Sequence, residues 1–505
     1  MNKEITMPLQ KLTQFYTYLS GSYIDSLDMG KLTEDAIKKM LSELDPHSSY
    51  FSVEEMKGMR ESMQGNFSGI GVQINMMNDT LHIESVISGG PSEKAGLLPN
   101  DRIVTVNDTL VTGWKQNDIV ARLRGVKGSS VNIGIIRPGE SEQLNFSIIR
   151  DNIPINTVDA AYKPDKKTGY IKVNRFAHTT MKEMEEAFDN LGNIDGLILD
   201  LRGNGGGLLA EAIEMAGFFL SKDHVIVSTD GRVVRPEQYK SEDNGKFRKG
   251  KLVVLVDEFS ASASEIVSGA LQDWDRAVIV GRRTYGKGLV QRQYPLVDGS
   301  AVNITVSRYL TPVGRAIQRP FKKGDKEGYM RDFEMRFKND TAALPHIDST
   351  AFYTTLRLGK KVYGGGGITP DYIVEADTSK SSSYERQLTA KGIYREYVSS
   401  YLDRNRNAIM SEYGDFESFR NNFKVTDEML EELAALAEKR GIVADEDGLS
   451  ESRISRNIRS IIASTLWSTS EAYQILNEND PIYLKGIDVI RNWKKMADGI
   501  ATDHI

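Results

Sequence analysis

The sequence predicts a multidomain α+β protein, with helical regions at both ends, a small β-rich unit after the first, and an α/β core in the middle. Three observations carry this reading. Apolar residues recur at helical spacing over 7–64 and again beyond 377. Period-two alternation takes over between 66 and 150. From 153 to 376 short apolar runs alternate with amphipathic stretches, the pattern of strands covered by helices. At 505 residues there is room for about three domains or more.

Composition narrows the function. The net charge of −6 is dispersed, with no long basic tract, so nucleic acid is not expected as the main partner. A hydrophobic content of 40% fits a soluble globular chain. No apolar run approaches the ~20 residues needed to span a bilayer. The start, MNKEITMPLQ, has no apolar signal core, so the expectation is either a cytoplasmic protein or one whose signal is absent here. The chain has no cysteine, which excludes a cysteine nucleophile, disulfides and thiolate metal sites.

The N-terminal region, 1–65, carries PLQKLTQFYTYLSGSYID and KLTEDAIKKMLSEL, with a helix start near Thr33. LDPHSSYFS interrupts it, and His47 there is read as packing or capping a turn. In 66–152, GIGVQINMMNDTLHIESVI reads as strands around an Asn78-Asp79 turn, PSEKAG as a short helix, and WKQNDIVARLRG as an amphipathic helix. A strand, a tight turn and a strand follow in SSVNIGIIRPGESEQLNFSIIR. In 153–376, GYIKVNRF, GLILDLR, KLVVLVDE and AVIVG read as strands, with helices after the first three. That alternation argues a parallel or mixed sheet covered on both faces, with its sites in the loops at strand C-termini. Residues 377–505 open on the polar stretch TSKSSSYERQ and continue as helices.

Three of those loops carry candidate chemistry. GRRTYGKG at 281–288 approximates a phosphate-binding loop, but Gly288 stands where a magnesium-binding hydroxyl belongs. The following LVQRQYPL is β-prone rather than helical, so nucleotide is not expected. FSASASE lies at a strand-to-helix turn. Its serines Ser260, Ser262 and Ser264 suit either helix caps or a nucleophile beside a helix N-terminus. RGNGGG at 202–207 reads either as a flexible turn or as a loop presenting backbone N–H groups to an anion.

A serine nucleophile needs a base. Of six histidines only His178, in RFAHTT, falls near the strand-end loops. His82 sits in a strand, and His224, His346 and His504 in surface-like or terminal contexts. Lys287 can serve instead if burial lowers its pKa from ~10.4 toward neutrality.

Two resemblances follow from these motifs. GIGV at 69–72, PSEKAGLLPNDRIVTVND at 91–108 and the helix near 115–124 resemble a PDZ domain. The resemblance implies that Gly69, Ile70, Gly71 and Val72 receive a peptide's C-terminal carboxylate while the adjacent strand edge accepts an added strand. RGNGGG, SASASEIVSGALQD, TYGKGLVQ, LDPHSSYFS, ITVSRYLTPVGRAIQ and GITPDYIV together resemble the C-terminal processing peptidases, or tail-specific serine proteases, over about residues 10–376. That family uses a Ser-Lys dyad with a supporting glutamine, here Ser262, Lys287 and Gln291. Positions 287 and 291 are an even number apart, so on an extended segment Gln291 would point toward Lys287 and orient it. The resemblance also implies oxyanion donors at the backbone of Ala263 and of Gly205 or Gly206. The family's loop often carries a proline that is absent here, which leaves the glycine open.

These implications amount to a PDZ domain inserted next to an α/β serine-protease core, without metal, nucleotide or other cofactor. The expected partners are proteins or peptides with apolar C-termini, and PDZ occupancy is expected to change access to Ser262. The resemblance places the protein in the periplasm or cell envelope. The C-terminal helices are compatible with a homodimer or with packing inside one chain. Two other readings stay open: a catalytically inactive PDZ adaptor, and a tricorn-like hydrolase that depends on His178.

Overall fold

Apolar strands need cover on both faces, and two distant parts of the chain supply it. In the computed structural model a six-stranded sheet runs in the order Val158–Asp165, Thr168–Val173, Gly196–Asp200, Lys251–Val256, Val278–Gly281 and Tyr372–Ile373. The first pair is antiparallel and the rest are parallel. Helices Thr180–Leu191, Leu209–Gly217 and Ala263–Asp273 cover one face, where Met184, Met215 and Val267 pack on Ile171, Leu199 and Val254. The helix Pro481–Arg491 covers the other, with Ile482, Ile487 and Ile490 against Ile198, Val253 and Leu255. The description covers residues 3–77, 79–87, 89–336, 352–375, 383–443 and 451–497. Asn78, His346, His504 and the first residues of the polar stretch at 377 lie outside it.

The helical region expected over 377–505 therefore divides. Residues from Tyr384 to Ile475 build a separate core around Leu388, Tyr397, Phe419, Leu433 and Ile458. Those from Ile482 to Ala497 complete the α/β core. The sequence alone could not reveal this, because an amphipathic helix does not name the surface it covers. The N-terminal region, expected to be helical, also contributes a strand. Ser49–Phe51 pairs antiparallel with Ala301–Leu310, which carries Leu289–Pro295 and Val225–Asp230 as further neighbours in a second sheet.

The β-rich unit is entered and left through one antiparallel ribbon, Asn66–Gly69 with Asp151–Pro154. Its main strands lie in the order Val72–Met77, Thr80–Val86, Arg102–Val106, Ser130–Ile136 and Leu144–Ile149, so Val72–Met77 is an edge. Ile119 and Leu123 of the helix Gln116–Leu123 join its core with Leu81, Ile83, Ile103 and Ile133. A polar seam joins this unit to the helix Ile393–Tyr413. Arg102 meets Asp403 at 2.9 Å, Arg395 meets Glu84 at 2.9 Å, and the Ser399 hydroxyl donates to Asn100 at 3.0 Å. No helix among the described residues is long and apolar enough to cross a membrane.

One buried charge cluster ties the last helices to the sheet. Arg202 meets Asp200 at 2.5 Å and Asp480 at 2.6 Å, and donates to Asn477 at 3.1 Å, while the Tyr170 hydroxyl donates to Asp200 at 2.7 Å. Asp200 is fully buried, so removing its partner strands a charge. Arg202→Met is expected to cost about 3 kcal/mol. Urea unfolding reads this directly, and an unchanged midpoint would show that Tyr170 and Lys172, whose amine lies 3.7 Å from Asp200, suffice.

Candidate active site

Three loops meet at the C-terminal ends of the parallel strands: 201–208, 257–262 and 282–288. Short hydrogen bonds bind them together. The Ser260 hydroxyl donates to Leu201 O at 2.8 Å and the Ser264 hydroxyl to Asn204 O at 2.9 Å. The Ala261 amide donates to Asn204 O at 3.0 Å, and the Tyr285 amide to Ser260 O at 3.0 Å. Close approach explains one glycine. Gly206 has φ 100°, and a Cβ there would stand 2.8 Å from Ser262 Cβ and 3.0 Å from Ala263 N.

These contacts separate the three serines. Ser260 and Ser264 spend their hydroxyl protons on joining loops, whereas the Ser262 hydroxyl donates to no described residue. Ser262 is also the strained one, with φ 56° and ψ −111°, a conformation rarely stable outside functional sites. It stands at the N-terminus of the helix Ala263–Asp273, where the dipole favours developing negative charge.

Glu265 holds this geometry. It is fully buried and takes four donors: the Ser262 amide at 2.9 Å and the Lys287 amide at 2.8 Å on Oε2, the Thr284 hydroxyl at 2.5 Å and the Gly286 amide at 2.7 Å on Oε1. Thr284 Oγ1 itself accepts from the Ile368 amide, so its proton points at Glu265. Burial pushes the Glu265 carboxyl up, and the four donors pull it down. The balance leaves the carboxyl above its ordinary value, while the four N–H and O–H donors favour its ionised form. Two amides that donate to one oxygen lie within about 6 Å of each other. Glu265 thus brings the backbones of Ser262 and Lys287 together across 25 positions of sequence.

The Lys287 side chain is partly buried and has no ion pair or hydrogen bond among the described residues. Burial holds its amine below the ordinary lysine value, while Glu265 and Asp45 act in the opposite direction. Asp45 comes from the turn before Ser49–Phe51. Burial works to raise its carboxyl, but donors from Ser48, the His47 amide and Thr305 outweigh that and lower it. His47 packs edge-on to Tyr329 with ring centroids 5.5 Å apart. Burial, with Lys287 nearby, lowers its pKa to about 4, so it is neutral.

Gln291 is placed differently from the expectation. Its side-chain amide donates to Leu289 O at 3.1 Å and to Thr305 Oγ1 at 3.3 Å, and no hydrogen bond joins it to Lys287. Lys287 precedes the strand Leu289–Pro295, and the pairing slips between Val290 and Gln291, so the parity argument fails. Gln291 instead reaches Asp45 through Thr305, whose hydroxyl lies 3.0 Å from Asp45 Oδ1. Gly206 is corrected as well, because its amide donates to Asn204 Oδ1 at 2.9 Å. The Ala263 and Gly205 amides have no partner among the described residues. His178 is exposed, and its ring has no hydrogen-bond partner among the described residues.

The 281–288 loop runs into a strand rather than opening a helix of its own. No group of acidic or histidine side chains among the described residues could hold a metal. In the β-rich unit, Ile70 is buried, Gly71 has φ 82°, and the amides of both lack acceptors among the described residues beside the free edge of Val72–Met77. Sequence reading missed Glu265, Asp45 and Asn204. The S-x-x-E spacing of Ser262 and Glu265 is a capping-box signature, which was available as a signal.

The fold and this loop cluster define a serine peptidase with an attached PDZ domain. Residues 167–326 match peptidase family S41, residues 59–136 match the PDZ domain, and residues 384–468 match a family of unknown function (DUF8443). The chain is 37% identical over 355 residues to carboxy-terminal processing protease CtpA of Bacillus subtilis (strain 168), covering 70% of this chain and 74% of that protein. It is 37% identical over 316 residues to CtpB of the same organism, covering 62% of this chain and 66% of that protein. The solved photosystem II D1 C-terminal processing protease is 34% identical, covering 61% of this chain and 83% of that one, with a TM-score of 0.36. The protein belongs to the carboxy-terminal processing proteases.

Replacing Glu265 by Gln turns an NH₂ group toward two of its four donors. The expected cost is about 3 kcal/mol, seen as a lower urea midpoint. An unchanged midpoint would mean that the loops find other partners.

Proposed function

We propose that the protein is an endopeptidase that cuts polypeptides near their C-termini, with Ser262 as nucleophile and Lys287 as general base. The observation that supports this most is the single Glu265 oxygen shared by the Ser262 and Lys287 amides. A neutral Lys287 amine takes the Ser262 proton, and the oxygen attacks the scissile carbonyl. The Ala263 amide and the glycine loop, with Gly205 in place of the engaged Gly206, stabilise the oxyanion. Lys287 then protonates the leaving amine, and water releases the acyl-enzyme. Gln291 supports the base indirectly, because Thr305 links it to Asp45, whose charge acts on Lys287.

The PDZ unit binds the apolar C-terminus of a substrate as an added strand along Val72–Met77, its carboxylate on the Ile70 and Gly71 amides. Insertion through a two-stranded ribbon couples its occupancy to access at Ser262. The enzyme works in the periplasm or cell envelope. The exposed His178, without a partner for its ring, gives no footing to a histidine-dependent reaction.

An unfolded protein with an apolar tail, incubated with enzyme and resolved by mass spectrometry, tests the reading. Fragments should vanish with Ser262→Ala and with Lys287→Ala but persist with His178→Ala. Full activity in either of the first two would overturn it. The pH profile gives a second test. Lysine must lose its proton to act, so kcat/KM should fall as pH drops through the lowered Lys287 pKa. Asp45→Asn removes an anion that favours the ammonium form, so this acid limb should move to lower pH. A limb that stays put or moves upward contradicts the assignment of Lys287 as base.

A further inference from the structure

Two buried guanidinium groups near the α/β core find partners for most of their N–H groups. Arg315 meets Asp273 at 2.6 Å, and Arg276 donates to the carbonyls of Phe219, Gly250 and Phe247 at 3.0, 3.0 and 2.7 Å. Arg283, Arg319 and Arg336 are different. They surround the turn that leads to Lys287. Arg283 Nε donates to Gly366 O at 2.5 Å, and Arg336 Nη1 donates to Thr284 O at 2.9 Å. The Arg319 amide donates to Gly286 O at 3.0 Å. Its guanidinium carbon lies 3.6 Å from the Tyr329 ring centre, 4.6 Å from that of Tyr285 and 5.1 Å from that of Phe333. The Arg336 guanidinium carbon is 5.8 Å from the same Phe333 ring, so the two cations share one aromatic wall.

None of the three forms an ion pair among the described residues. Arg319 is only 4% exposed, yet its Nε and Nη2 have no hydrogen-bond partner. Burial lowers Arg283, and it lowers Arg336 to about 10 with repulsion from Arg283 and Arg319 adding to it. Glu265, the acid whose charge reaches Arg283 and Arg336, already holds four other donors. Stacking of Arg319 and Arg336 on aromatic faces offsets part of the cost of crowding like charges together. A buried guanidinium with open N–H groups still calls for an oxyanion.

We propose that Arg283, Arg319 and Arg336 form a binding site for an oxyanion, a carboxylate or phosphate group, behind the Lys287 loop. The planar fork of Arg319 suits bidentate recognition of such a group, and Tyr285, Tyr329 and Phe333 keep water from competing. The anion comes either from solution or from an acidic side chain of a bound polypeptide. The site does not depend on the roles proposed for Ser262 and Lys287.

Thermal unfolding of the full chain, titrated with phosphate or acetate against chloride at constant ionic strength, tests it. Both oxyanions should raise Tm saturably beyond chloride. Arg336→Gln, at a partly exposed position, and Arg319→Met, which keeps the aromatic box filled, should each weaken the apparent affinity about tenfold or more. Fluorescence anisotropy with a glutamate-containing peptide and its glutamine counterpart separates the sources. A glutamate preference that Arg336→Gln abolishes identifies a polypeptide carboxylate. Oxyanion stabilisation lost in Arg336→Gln, without that preference, identifies a free anion. No Tm gain beyond chloride, or a gain that Arg336→Gln retains in full, overturns the proposal, and Arg336→Gln decides the matter even if Arg319→Met fails to fold.

Discussion

One buried carboxylate organises the site. Glu265 accepts from the amides of Ser262, Gly286 and Lys287 and from the Thr284 hydroxyl, and so joins the loop that ends at Ser262 to the one that carries Lys287. An anion in a low-dielectric interior persists only when its lone pairs are filled. That requirement runs both ways: the loops satisfy the charge, and the charge fixes the loops. The positive φ of Ser262 is a local cost of order 1–3 kcal/mol that the surrounding bonds must offset. With the proposed chemistry, the same anion has a second effect. It favours the ammonium form of Lys287 against the burial that disfavours it, so the basicity of the amine rests on a balance between the two.

The sheet explains why the loops meet. Parallel strands end at one edge, and the loops after Gly196–Asp200, Lys251–Val256 and Val278–Gly281 emerge side by side there. Serine hydroxyls flanking Ser262 then act as fasteners between neighbouring loops. The second sheet brings in residues from much earlier in the chain. Ser49–Phe51 pairs with Ala301–Leu310, which carries Asp45 and His47 to the lysine. A turn at the start of the molecule and a loop near its middle therefore share one electrostatic environment.

Around that centre the chain uses two kinds of interface. Pro481–Arg491 covers the sheet with apolar side chains and behaves as part of the core. The seam between the PDZ unit and Ile393–Tyr413 is polar, and its ion pairs are partly exposed, so each contributes only about 0–1 kcal/mol. The unit is inserted through one ribbon, Asn66–Gly69 with Asp151–Pro154. This is consistent with the proposed coupling of PDZ occupancy to cleavage.

Local pattern was enough to reveal most strands and helices, because apolar periodicity and glycine-rich turns are properties of short segments. The PDZ-like unit and the roles of Ser262 and Lys287 came instead from resemblance to known families. Local pattern also marked Gly206 as part of a special loop, though not its role. Which amide was free depended on Asn204 folding back onto Gly206. Gln291 was misplaced because parity along a strand holds only while pairing is regular, and a slip in register is invisible in one strand's sequence. Only the tertiary structure decided that Glu265 joins positions 262 and 287, that Asp45 acts on the lysine, and that Pro481–Arg491 belongs to the core. Each of these is a contact between residues far apart in the chain, where a charge, a donor or an apolar face finds a partner that local spacing cannot specify.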